Sequence, residues 1–243
     1  MSFTAVLHSE WIKVTSVRAV LGTLLAVPAV SLAVTVLVLA TTGASDAYGD
    51  DPVHRAFYAI GFAQIAAVAF GTSAVAAEYA AGALRISLAA VPRRGVFYAA
   101  KTAVVAGAAL GVGLLTSFAS FFAGQAFLGE DAIGLGTPGA LRACVGAGIH
   151  LALMSALAAG LTCVLRRAAL VLGLLIPAFL ILPFVISDVA GSAVRYLPDR
   201  AGQQILHQDP AGGPGAWTGL TVTALWAAAA LLAGWAAVRR RDT

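Results

Sequence analysis

Residues 78–101 read EYAAGALRISLAAVPRRGVFYAAK. Glu78 closes one long apolar run, and Arg85, Arg93, Arg94 and Lys101 precede the next. A stretch this polar between runs this apolar belongs in water at a membrane face. Of the chain's 243 residues 60% are hydrophobic and 11% charged, where a soluble domain carries about 25% charged residues. That composition excludes an ordinary soluble fold.

Uncharged runs long enough to cross a bilayer, about 20 residues, occur at 19–42, 56–77, 102–129, 143–165, 168–187 and 216–238. They predict six helices, because lipid leaves backbone groups no partners outside a helix or a closed barrel. A barrel needs short segments of alternating polarity, and these runs are apolar on every side. The first run exceeds the roughly 7 to 15 apolar residues of a secretion signal and reads as an uncleaved span. Cys144 and Cys163 share the fourth run, so one helix holds them roughly 28 Å apart, too far to bond. The fold expected is an all-α, single-domain polytopic membrane protein.

Orientation follows from Lys and Arg beside the span ends. With the N-terminus inside, Lys13, Arg18, Arg85, Arg93, Arg94, Lys101, Arg166, Arg167, Arg239, Arg240 and Arg241 are cytoplasmic. Arg55, Arg142, Arg195 and Arg200 are outside. The net charge of +4 thus reflects topology and not a nucleic-acid footprint. Both termini are expected in the cytoplasm, with 78–101 as an inner loop and 188–215 as the longest outer loop.

Residues 2–18 predict a helix lying on the membrane. Phe3, Val6, Leu7, Trp11, Val14 and Val17 share one face at 100° per residue, with Glu10 inside that face. Glu10 can pair with Lys13 one turn on, and Trp11 suits the interface. From Glu78 to Val91 the pattern again suits a short helix, with Leu84, Leu88 and Val91 at i, i+4 and i+7. Pro92 stops it, and Arg93-Arg94-Gly95 turns the chain into the third span. Positive-inside anchoring explains the arginines, but not why this loop is amphipathic when Arg166-Arg167 makes a minimal turn.

Chemistry is sparse elsewhere. His8, His54, His150 and His207 lack metal-ligand spacing. His150 and Ser155 have no carboxylate or nucleophile motif beside them and read as core residues. Gln64 and Gln125 read as links between helices. Gly95 to Thr102 approaches the phosphate-loop spacing, but Ala100 replaces the second glycine, Phe97 and Tyr98 crowd it, and no strand precedes it. The chain is therefore expected neither to bind nor to hydrolyse ATP. Ionisable groups within the spans, which coupled carriers use, are confined to Glu78 and Asp188 at span ends.

The chain resembles the permease subunits of type-2 ATP-binding-cassette exporters. The likeness rests on Glu78-x-x-x-Gly82-x-Leu84-Arg85-x-x-Leu88, then Pro92-Arg93-Arg94 and Lys101. It includes Glu10-x-x-Lys13 in the N-terminal helix and Tyr196-Leu197-Pro198 before the sixth span, and extends over the whole chain in span number and order. Ala83 stands where threonine is common in such loops. The resemblance implies an N-terminal elbow helix and a coupling helix in the first inner loop. It also implies two permease subunits, identical or related, joined to two separate ATP-binding subunits that hold the ATP and Mg. In that reading Leu84 and Leu88 dock on the ATP-binding partner, Arg85 and Arg93 pair with its acidic groups, and Glu78 ties the loop to the span or to the elbow helix. The cargo implied is amphiphilic or lipophilic. A different class of function fits the same topology: a membrane scaffold or sensor that recruits a cytoplasmic partner through 78–101.

Overall fold

The computed structural model describes residues 2–42, 51–91, 93–128, 132–181, 185, 191–210 and 213–240. Among them the chain is all-helical, with no strand. Helix α1 (Phe3–Ser16) starts on Ser2, whose side chain accepts from the Ala5 amide. It ends at Val17, whose extended backbone breaks it from α2 (Arg18–Thr42). Pro28 sits inside α2 without ending it. Next come α3 (Pro52–Phe57), α4 (Ile60–Tyr79), α5 (Ala83–Ala90) and α6 (Arg94–Leu128). Helices α7 (Ala140–Leu165), α8 (Ala168–Leu180), α9 (Pro198–Gln203) and α10 (Ala216–Arg240) complete the series.

Five stretches are long and apolar enough to cross a membrane: Arg18–Thr41, Val53–Tyr79, Arg94–Phe127, Ala140–Leu165 and Ala216–Arg240. The fifth expected span, 168–187, is represented by α8, whose 13 residues cover about 20 Å of an apolar core about 30 Å thick. Residues 182–184, 186 and 187 of that run lie outside the described residues.

Helix α7 is the axis of the bundle and packs against α4, α6 and α10. Leu151, Met154, Ala147 and Ala158 are wholly buried. Gly71 of α4 lies against the Ser155 carbonyl, where an added Cβ would collide with backbone, so only glycine allows the two helices this approach. Outward faces are apolar too: Leu37, Leu115, Leu225 and Leu232 are exposed, the pattern of helices that meet lipid instead of water. Hydroxyls cross between helices, as in Ser31 to Ser120 at 2.8 Å, Thr23 to Ser73 at 2.8 Å and Ser155 to the Ala67 carbonyl at 2.8 Å. Cys144 and Cys163 are buried free thiols.

The basic residues segregate by end. Arg94 donates to the Val238 carbonyl and the Arg166 guanidinium lies over the Tyr79 ring, so the starts of α2 and α6 gather with the ends of α4, α7 and α10. Arg166, in the left-handed region at φ 57°, caps α7, and two residues suffice to turn the chain into α8. At the opposite end Asp51 caps α3 and also accepts from the Gln208 amide, while Arg142 donates to the His207 and Gln208 carbonyls. Burial pushes the Asp51 carboxyl up, but amide donors and the His207 ring outweigh it and hold the group below its ordinary range.

Two boundaries differ from those read in the sequence. Within 78–101 the helix expected over 78–91 is present as α5 at Ala83–Ala90, but Glu78 and Tyr79 end α4, and α6 begins at Arg94, eight residues before the expected span. An α-helix carries its own backbone hydrogen bonds and so projects past the bilayer without needing to unwind. Its 35 residues give about 52 Å. The expected outer loop 188–215 is not a surface loop throughout. Pro198, Asp199, Ala201, Gly202, Ile205 and Leu206 are buried, because Thr223 of α10 donates to the Pro198 carbonyl and Gly202 packs on the His150 ring. Those contacts lie about 10 and 15 Å along α10 and α7, inside the bundle.

Candidate functional site

At the basic end four charged side chains and one hydroxyl from four helices meet. Glu10 and Lys13 are one turn apart on α1 and bond at 2.7 Å. The inward stripe of α1 is Val6, Glu10 and Val14, so Glu10 enters the bundle between two valines. Phe3, Trp11 and Val17, expected on the same face, stay exposed. Glu78, one residue before the end of α4, receives Lys13 Nζ at 2.9 Å and Lys101 Nζ at 2.7 Å on Oε1. Lys101, two turns into α6, also reaches Glu10 at 2.5 Å. Ser87 of α5 donates to Glu78 Oε2 at 2.8 Å and lies 3.0 Å from Lys13 Nζ, which donates to it.

Glu10, Glu78 and Lys101 are buried, and Lys13 is half-buried. Two carboxylates and two ammoniums sum to zero, which is how such groups tolerate burial. Burial depresses the Lys13 ammonium, but bonds to Glu10 and Glu78 more than compensate and leave it above its ordinary value. The same ammonium stands 5.6 Å from the Phe97 ring centroid, a cation–π contact. A cavity of about 260 Å³ borders the cluster, walled by Val14, Val20, Ala77, Glu78, Ile86 and Lys101.

The cluster thus brings together Glu10, Lys13, Glu78 and Lys101 from among the residues singled out in the sequence. Gly82 precedes α5 at φ 76°, a left-handed conformation that costs any side chain. Leu84 turns inward and is 8% exposed, whereas Ile86 is 74% exposed. Leu88 is intermediate and Arg85 open. The exposed large apolar residue of α5 is therefore Ile86, whereas Leu84, expected to dock on a partner, packs inward toward the bundle. Arg93 is exposed, Arg94 is bonded to α10, and Pro92 lies outside the described residues. Ser87 went unread because it falls off the apolar stripe. Its only sequence signal is a hydroxyl on the polar flank of a short amphipathic helix.

Farther in, His150 Nε2 meets Gln64 Oε1 at 3.0 Å, a fully buried link between α7 and α4. Gln125 instead caps a loop, accepting from the Ile133 amide. Gly95 to Thr102 is helical and forms no phosphate cradle. Among the described residues no three His, Cys, Asp or Glu side chains come together as metal ligands. No family model, curated protein or solved structure matches the chain.

Proposed function

We propose that the chain is the transmembrane permease subunit of an ATP-driven exporter. In this reading it moves an amphiphilic or lipophilic small molecule across the cytoplasmic membrane by alternating access, powered by a separate ATP-binding subunit. Two permease subunits face each other, each crossing six times with both termini in the cytoplasm. The observation that carries the reading is the charge cluster under α5. Helix α5 presents Ile86 and Arg85 outward, while its Ser87 bonds Glu78 of α4 and Lys13 of α1, and Lys101 of α6 bonds Glu78 and forms an ion pair with Glu10. A force on α5 is therefore delivered to three other helices through short charged contacts, and not dissipated in a loop. Coupling helices need that property, and a membrane anchor does not.

Coexpression with a candidate ATP-binding subunit tests the proposal. The two should copurify and show ATPase activity that neither has alone. Glu78→Ala and Arg85→Glu should each lower cargo transport, the first by uncoupling and the second by weakening association. Wild-type partner binding and transport in both variants would refute the coupling role. Stable capture of a partner without ATPase activity would favour a scaffold or sensor instead.

A further inference from the structure

Asp199 is a buried carboxylate with one unmet acceptor oxygen. It is 1% exposed, and its Oδ1 has no hydrogen-bond partner. The nearest cation, Nε of Arg200, stands 3.8 Å from Oδ2, beyond hydrogen-bond length. Burying a carboxylate oxygen without a donor is expensive, and an ionisable group at this depth among apolar helices calls for a partner. Asp199 borders two cavities. One, of about 440 Å³, has apolar walls that include Leu157, Leu161, Leu175, Phe179 and Trp226. The other, of about 250 Å³, lies toward Asp51's end of the bundle and is edged by His54, Tyr58, Gln64, Arg200 and Gln203. Asp199 and Phe179 belong to both walls, so they form the partition between an apolar chamber and a more polar vestibule.

We infer that this chamber is a binding site for a monovalent organic cation with an apolar body, its ammonium group held at Asp199. The volume lies within the roughly 300–1,000 Å³ of small-molecule sites. The walls match a hydrocarbon or aromatic body, Trp226 adds a ring face that favours cations, and the unmet acceptor specifies a donor at one end. A neutral lipid tail would fill the space but leave Oδ1 unmatched, and an anion in this chamber would meet the Asp199 carboxylate, because Arg200 borders the vestibule and not the chamber. Binding is a property of this chain alone, so the site stands or falls separately from the exporter proposal, although it would define the cargo class if both hold.

The test uses the full chain in phosphatidylcholine nanodiscs with dansylcadaverine, a fluorescent primary ammonium, and its N-acetyl derivative, which lacks the charge. Blue-shifted dansyl emission is read against empty nanodiscs. Saturable binding of dansylcadaverine is expected, weakened about tenfold or more by Asp199→Asn, as loss of one charged hydrogen bond implies. The acetylated probe should bind equally weakly to both proteins. Ala229→Phe, which fills the chamber from an exposed position on its wall, should abolish binding even where Asp199→Asn cannot be purified. Equal binding by wild type and Asp199→Asn, equal binding of the two probes, wild-type binding by Ala229→Phe, or emission no different from empty nanodiscs would each overturn the inference.

Discussion

At the scale of single residues, the charge cluster divides into what the sequence announces and what it hides. Glu10 and Lys13 are legible together, since a carboxylate inside an apolar stripe with a lysine one turn on has an obvious partner. Glu78 and Lys101 are each conspicuous, but nothing in a string of letters says that residues 23 positions apart form a hydrogen-bonded ion pair. Only the antiparallel passage of α4 and α6 puts them there. Neutrality of the cluster yields a prediction. Lys101→Met leaves two buried carboxylates facing Lys13 alone, and breaking a buried pair in this way costs about 3–5 kcal/mol. Adding Glu10→Gln removes the surplus charge and should recover a large part of that loss. Thermal unfolding of the single and double variants in nanodiscs measures it. A double variant no more stable than Lys101→Met would show that the residues act independently.

At the scale of elements, the α5 region shows why periodicity locates a helix better than it orients one. Apolar residues at 84, 88 and 91 mark an amphipathic segment, and the structure contains one. Which side faces inward depends on where the helix begins, and Gly82 at φ 76° sets that start with a conformation invisible to periodicity. Leu84 packs inward while Ile86, two residues on, is exposed. Leu84→Ala should destabilise the protein by about 2 kcal/mol, the cost of a buried leucine truncation, and leave surface contacts alone. Ile86→Ala should leave thermal stability within about 0.5 kcal/mol of wild type, as for an exposed site, yet weaken association with the ATP-binding subunit that the proposed function requires. Equal losses of stability in the two variants would remove the distinction. The early start of α6 has a similar origin. Pro92 and two arginines read as a turn, but charged residues on a helix that projects into the headgroup region look the same in sequence as charged residues in a loop.

For the whole molecule, the all-helical membrane architecture was legible because lipid admits so few alternatives, and five long apolar helices follow from composition and length alone. The buried segment 198–206 was not legible, since its prolines, glycines and polar side chains mark a loop on any local scale. It is buried by His150, Thr223 and Arg142, residues supplied from other helices. Its position bears on the number of crossings. Helix α8 starts beside Arg166 at the basic end, whereas residues 196–208 lie against the opposite halves of α7 and α10. The six crossings proposed above require 168–187 to be a crossing as well, although α8 has only 13 residues. Single cysteines at Ala89 and Ser192, both exposed, in a chain with Cys144 and Cys163 replaced by alanine, test this directly. In intact cells a membrane-impermeant maleimide should label Ser192→Cys and spare Ala89→Cys, and permeabilisation should expose both. Labelling of both from outside would mean that the chain does not cross between α5 and residue 192 an odd number of times. Labelling of Ala89→Cys alone would invert the orientation and place α5 beyond the reach of any cytoplasmic ATPase.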